Sequence, residues 1–252
     1  MIKPLRRDYN TPGGRVYRLY TTLADRPHLL IAGATGSGKS VTVNGIMYSL
    51  LARHSPNTVQ FVLIDPKKVE LAQYARLPHV MQYASEPRDI VSALEFALEE
   101  TERRFRTMQK LGIREWTQAH LYVIIDELAD LMVAQKKETL PILQRIAAIG
   151  RAARVHLFAC SQNILAQTIP TTLKCNIPAV LGLRTATAQQ SRFLISAPGC
   201  EMLPDPKRTG RGAGYLRDGA DLEKHDIYKY PDEEIQKLID WWTSSACIAK
   251  GA

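Results

Sequence analysis

Residues 33 to 40, GATGSGKS, have the spacing Gly-x4-Gly-Lys-Ser, and each residue type in the pattern suits a polyphosphate. Glycines let successive backbone N–H groups turn inward into a concave donor surface, and a helix starting directly afterwards adds the positive end of its dipole. Lys39 is predicted to reach the terminal phosphates and Ser40 to ligate Mg²⁺ through its hydroxyl. The expected nucleotide-binding surface is Gly33, Ala34, Thr35, Gly36, Ser37, Gly38, Lys39, Ser40 and Val41.

A second candidate pair, Asp126 and Glu127, ends the apolar run LYVIID at 121 to 126. A carboxylate in that position can hold Mg²⁺ through water, and its neighbour can polarise the water that attacks phosphorus. Asp126 therefore joins Ser40 as a metal candidate, and Glu127 joins Lys39 as a catalytic one. Two carboxylates beside a phosphate loop suit hydrolysis better than phosphotransfer to a small molecule. No compact Arg-rich lid for such an acceptor stands out. Hydrolysis on this pattern must then drive something larger.

These side chains need a sheet to hold them. Apolar runs bounded by turn signals occur at 28 to 33, 59 to 65, 121 to 126, 155 to 160 and 178 to 183. They read as buried strands of a mainly parallel sheet, and the helical patterns between them predict an α/β domain with helices on both faces. Ligands of such sheets bind at the carboxyl ends of the strands. The longest helix is predicted from about Glu86 to Leu111, with Ile90, Leu94, Ala97, Leu98, Phe105 and Met108 on its apolar face and Arg103, Arg104 and Arg106 mostly off it. A helix over 138 to 153 and a final one over 231 to 243 follow from the same periodicity. The glycine-rich stretch from Ala197 to Ala220 is expected to form loops with short edge strands.

The chain of 252 residues can bury one large core. Its net charge of +8 favours contact with polyanions such as nucleic acid. Cys160, Cys175, Cys200 and Cys247 have no metal-site spacing and fit a reducing cytoplasm. The longest uncharged stretch, Val155 to Leu173, carries His156, Ser161, Gln162, Asn163 and Pro170, so no membrane span is expected. MIKPLRRDYN lacks the apolar run of a signal peptide.

Beyond single motifs, PHLLIAGATGSGKSVTVNGIMYSLL (27 to 51), FVLIDPKKVEL (61 to 71), ERRFRTMQKLGIR (102 to 114), LYVIIDELADLM (121 to 132), GRAARVHLFACSQN (150 to 163) and KCNIPAVLGLRTATAQQSRFLI (174 to 195) resemble the motor domain of the FtsK/SpoIIIE DNA translocases. The likeness runs from about Gly13 to Tyr230. It implies a RecA-like P-loop ATPase that uses ATP and Mg²⁺, assembles into a homo-oligomeric, hexameric ring, and moves double-stranded DNA through its channel. It also implies that Arg151 enters the neighbouring subunit's nucleotide site and that Gln162 is a polar sensor for the γ-phosphate or the attacking water. Asp65, Lys67 and Glu70 match a stretch typical of the family, with no chemical role readable from sequence.

Several positions depart from the family pattern. Asn163 and Ile164 stand where Arg-Pro is usual in a channel-facing loop, and Ala188 and Arg192 where a Lys and an Arg are usual in a second one. Arg192 is thus the main expected DNA contact, with Asn163 at a channel position, and Arg184 and Lys174 as cations that could compensate. Gly212-Ala213-Gly214-Tyr215-Leu216 lacks the acidic residue of a family turn. The chain is expected to divide into a lead-in (1 to 26), a motor (27 to 246) and a tail (247 to 252). A compact relative is expected, with no membrane segment or winged-helix module of its own, which a partner protein could recruit to DNA in segregation or mobile-element transfer. A nucleotide-gated adaptor that binds DNA or a relaxosome-like complex without sustained translocation is the alternative.

Overall fold

A computed structural model describes residues 25 to 244. Most of the expected lead-in, Cys247 and the expected tail lie outside them. Eight strands form one sheet in the order β3-β2-β4-β5-β1-β6-β7-β8. They are β1 (His28–Ala32), β2 (Val59–Ile64), β3 (Val80–Ala84), β4 (His120–Ile125), β5 (Val155–Ser161), β6 (Ala179–Leu183), β7 (Gly212–Asp218) and β8 (Asp221–Ile227). The helices are α1 (Lys39–Leu51), α2 (Pro87–Leu111), α3 (Leu128–Ala134), α4 (Lys136–Ile149), α5 (Thr171–Lys174), α6 (Ala188–Ile195), α7 (Pro206–Thr209) and α8 (Asp232–Thr243).

From β3 to β6 all pairings are parallel, and β7 and β8 add an antiparallel ribbon. Apolar side chains on alternate residues of the central strands point to opposite faces. One core gathers Leu30, Val123, Ile125 and Leu157 with residues of α2 and α4, and the other gathers Leu29, Phe61, Ile124 and Phe158 with residues of α1 and α8. The expected α/β architecture with helices on both faces is the one observed.

The differences have local causes. β3, VMQYA, escapes a search for apolar runs because it is an edge strand with Met81 and Gln82 exposed. The helix after the phosphate loop has no single apolar stripe: α8 covers its second side, with Trp242 Nε1 donating to Leu51 O at 3.0 Å and Tyr48 stacked on Tyr230. Helix α4 ends at Ile149, four residues before the predicted boundary. A Cβ on Gly150 would lie 2.5 Å from Val155 O, so glycine alone permits the tight turn into β5. Arg104, expected mostly off the buried face of α2, is only 2% exposed. Its guanidinium bonds Glu100 Oε1 at 2.7 Å, Ala119 O at 2.8 Å and Ala153 O at 2.9 Å, fastening the turn that carries Arg151. A buried cation is tolerated there because its donors are satisfied.

At the opposite edge from the phosphate loop, the amino ends of β1, β4 and β5 bring three histidines together. His120 Nδ1 lies 2.8 Å from His156 Nε2, and His156 Nδ1 lies 3.0 Å from Pro27 O. The carbonyl can only accept, so a neutral His156 donates from Nδ1 and accepts from His120. Burial, then Arg151, lowers the pKa of His28 to about 4; burial, then His120 and His28, lowers that of His156 to about 3. The ordinary value is 6.5, so above it both folded and unfolded chains hold these rings neutral, and below it the unfolded chain takes up protons that the folded chain refuses. Stability is therefore lost as pH falls from 6.5 towards the folded values. Going from pH 7 to pH 5 should cost about 2 kcal/mol for each of His28 and His156. Urea denaturation midpoints at the two pH values measure this, and His156→Gln should reduce the difference.

Candidate active site

The phosphate loop follows β1 at the carboxyl edge of the sheet. Gly36 and Gly38 have φ of 80° and 102°, the left-handed region that L side chains rarely adopt. The loop hangs from its neighbours, with Gly33 N donating to Ser161 O at 3.2 Å and Ala34 N to Arg184 O at 2.8 Å. Lys39 begins α1 and is only 4% exposed. Its ammonium pairs with the Asp126 carboxylate and donates to Asp126 O at 2.8 Å.

Burial opposes the Lys39 charge, but the groups around it, Cys160, Asp126 and Glu127, raise its pKa above the ordinary lysine value. Burial pushes the Cys160 thiol up to about 12, so it is neutral and the carboxylates are the anions that hold Lys39 charged. For Asp126 burial pushes the pKa up, Lys39 opposes it, and Asp65 and Glu70 add to the rise. The pocket thus holds more negative charge than Lys39 balances.

Asp126 and Glu127 follow β4 directly and are 1% and 2% exposed. Glu127 is the N-cap of α3. Its carboxylate accepts from Ser161 Oγ at 3.0 Å and from Gln162 N at 3.1 Å, which fixes it against the end of β5. Lys67 Nζ lies 3.7 Å from Glu127 Oε2 and 3.5 Å from Asp130 Oδ2. Gln162 in turn accepts from Thr35 Oγ1 at 3.0 Å, so the phosphate loop, Gln162 and Glu127 form one connected set.

The segment after β2, unassigned from sequence, belongs to the same site. Ser40 Oγ donates to Glu70 Oε1, Lys67 faces Glu127, and Asp65 Oδ2 accepts from Leu71 N at 2.9 Å to fix the turn between them. The signal was present in the sequence: an Asp-Pro at a strand's carboxyl end in an α/β sheet points to the ligand edge. Mg²⁺ and a nucleotide fit these residues. Ser40, Asp126 and Glu70 are hard oxygen donors beside surplus negative charge, as Mg²⁺ prefers. Within the loop, the buried Ser37 Oγ has no hydrogen-bond partner among the described residues.

Arg151 stands elsewhere. It is exposed in the turn before β5, at the amino end of the strand whose carboxyl end meets Glu127. Seven residues of strand separate the two ends, roughly 20 Å at about 3.3 Å per residue, so Arg151 cannot serve its own chain's loop.

The expected DNA contacts are likewise dispersed. Arg192 and Ala188 lie one turn apart on α6, a short helix rather than a loop, and Arg192 is exposed. Asn163 is exposed after β5, with its carbonyl accepting from Ser161 Oγ and Thr168 Oγ1. Arg184 lies beside the phosphate loop and pairs with Asp205 at 3.3 Å. Lys174 donates to Phe193 O and sits 4.6 Å from that ring's centroid.

Comparison with known proteins places this geometry. The FtsK/SpoIIIE family model matches residues 12–121 and 117–165. The chain belongs to the FtsK/SpoIIIE family. A DNA translocase FtsK from Sporosarcina ureae is 36% identical over 245 residues, which is 88% of this chain and 31% of that relative. The chain thus spans about a third of the length of such an FtsK/SpoIIIE protein. Among solved structures, the pCW3 conjugation coupling protein TcpA with ATPγS superposes with a TM-score of 0.72 at 24% identity, over 87% of this chain and 66% of that one. The cytoplasmic domain of the Thermomonospora curvata Type VII secretion ATPase EccC gives 0.72 at 24% identity, over 87% and 28%. The fold is that of P-loop ATPases. The FtsK/SpoIIIE match ends soon after Gln162, so it contains the phosphate loop, Asp126, Glu127 and Arg151 but not Arg192. No helix among the described residues is long and apolar enough to cross a membrane.

Proposed function

We propose that this chain is an ATP-dependent DNA translocase that hydrolyses ATP in a homo-oligomeric, hexameric ring and moves double-stranded DNA, in the cytoplasm, during DNA segregation or mobile-element transfer. The observation that carries it is the connected set at one sheet edge, Lys39 with Asp126, Ser40 with Glu70, and Glu127 with Ser161 and Gln162. The loop from Gly33 to Val41 binds the phosphates. Ser40 and Asp126 hold Mg²⁺, which when bound neutralises phosphate charge. Glu127 orients the attacking water and takes its proton, while Lys39 stays charged against the developing negative charge on the γ-phosphate. Arg151 of one subunit reaches the phosphate of the next, which fits its exposure and its distance from its own loop. Gln162 joins the γ-phosphate side to the segment from Asn163 onward, so that hydrolysis moves the residues facing DNA. A partner protein recruits the ring to its DNA.

The sparse cations favour a second reading, a nucleotide-gated adaptor that holds DNA without moving it. Asn163 and Ala188 are uncharged, and Lys174 and Arg184 are engaged with Phe193 and Asp205. Displacement of a third strand from a DNA triplex during ATP hydrolysis separates the two, since only the translocase strips it. Arg192→Ala should abolish displacement and DNA-stimulated hydrolysis while leaving the basal rate nearly unchanged. It should also lower the slope of log affinity against log salt by about one unit, because one phosphate contact is lost. Asn163→Arg with Ala188→Lys should strengthen binding to all sequences alike. Equal affinity and slope in parent and Arg192→Ala would remove α6 from the DNA path.

A further inference from the structure

A basic turn, α7, lies over the phosphate loop. Asp205 accepts from Lys207 N at 3.0 Å to cap it, and the same carboxylate pairs with Arg184 at 3.3 Å. Arg184 O accepts from Ala34 N at 2.8 Å, so one residue ties the turn to the second position of the loop. The Lys207 side chain then runs directly over Gly36. A Cβ on Gly36 would lie 2.7 Å from Lys207 Cε and 3.3 Å from its Nζ. Among the described residues the ammonium has no carboxylate partner.

An ammonium held against a loop that presents backbone N–H groups sets donor against donor. An anion with several acceptor oxygens satisfies both, and a phosphate chain has that form. We propose that Lys207 is a second phosphate-binding lysine, supplied from the same chain, that closes α7 over the nucleoside triphosphate. Its role differs from that of Lys39. Lys39 is buried and joined to Asp126 beneath the loop, whereas Lys207 is exposed and approaches from the solvent side. The two would grip the phosphates from opposite sides, and release of Lys207 would open the path for product exit.

The proposal rests on the nucleotide-binding reading of the loop, and one experiment tests them apart. Equilibrium titration of the full chain with Mg·ATPγS measures affinity for the parent, Lys207→Ala, Lys207→Arg and Lys39→Ala. Lys207→Ala should bind about tenfold more weakly, the size of one charge-assisted contact, and Lys207→Arg within about threefold of the parent. Both should melt at the parental temperature without nucleotide, since the side chain is exposed, and only Lys207→Ala should show a smaller nucleotide-induced rise. Parental affinity in Lys207→Ala alongside lost binding in Lys39→Ala would overturn the Lys207 assignment and leave the loop's function standing. Parental affinity in both would remove the nucleotide site itself. Weakened binding in Lys207→Ala with an equally lowered melting temperature without nucleotide would make the residue structural and overturn its role as a phosphate ligand.

Discussion

Glu127→Gln protein should bind Mg·ATPγS with parental affinity and hydrolyse ATP at least about a hundredfold more slowly than the parent. Glutamine keeps the volume and one acceptor oxygen, so it can still receive the Ser161 hydroxyl or the Gln162 amide that now hold the carboxylate. What disappears is the base that the proposed mechanism uses to take the proton from water. Glu127→Ala would be a poorer test, because Ser161 and Gln162 would both lose a buried acceptor and stability would fall with activity. Phosphate release in single-turnover reactions measures the effect. Parental turnover in Glu127→Gln would transfer the catalytic assignment to another group, Asp126 first.

Arg151→Ala should have an effect at least as large, about a thousandfold on turnover, with ATP binding preserved. The expectation comes from geometry, because the residue and its own loop sit at opposite ends of β5 and only a neighbouring subunit can bring them together. Mixing Arg151→Ala with Glu127→Gln protein should restore part of the activity. Interfaces then form that pair an intact Glu127 with an intact Arg151. Mixtures no more active than their components would show that the arginine does not act across an interface.

The phosphate loop, Asp126 and Glu127 were legible in sequence because their chemistry is carried by local spacing, and the central strands because both of their faces are buried. Other parts depend on contacts distant in sequence. Lys67 reaches Glu127 only once β2 pairs with β4, and Glu70 reaches Ser40 only once β4, β5 and β1 line up beside β2. Arg104 looks solvent-facing by helical periodicity, and its burial depends on carbonyls at Ala119 and Ala153 that no pattern within α2 announces. The reach of Lys207 depends on Arg184 clipping α7 to the loop. Lys207 and Arg208 are adjacent in the sequence, but nothing in it says which surface they meet. Arg184 itself, expected as a DNA cation, has its guanidinium on Asp205 because β6 runs beside β1 and ends at the phosphate loop.

Whether ATP hydrolysis here belongs to a ring acting on DNA is read from the hydrolysis rate per chain over a wide range of protein concentration, with and without double-stranded DNA. The rate per chain should rise with concentration as interfaces form, reach a plateau, and reach a higher plateau when DNA is present. A rate per chain that is the same at every concentration and unchanged by DNA would contradict it.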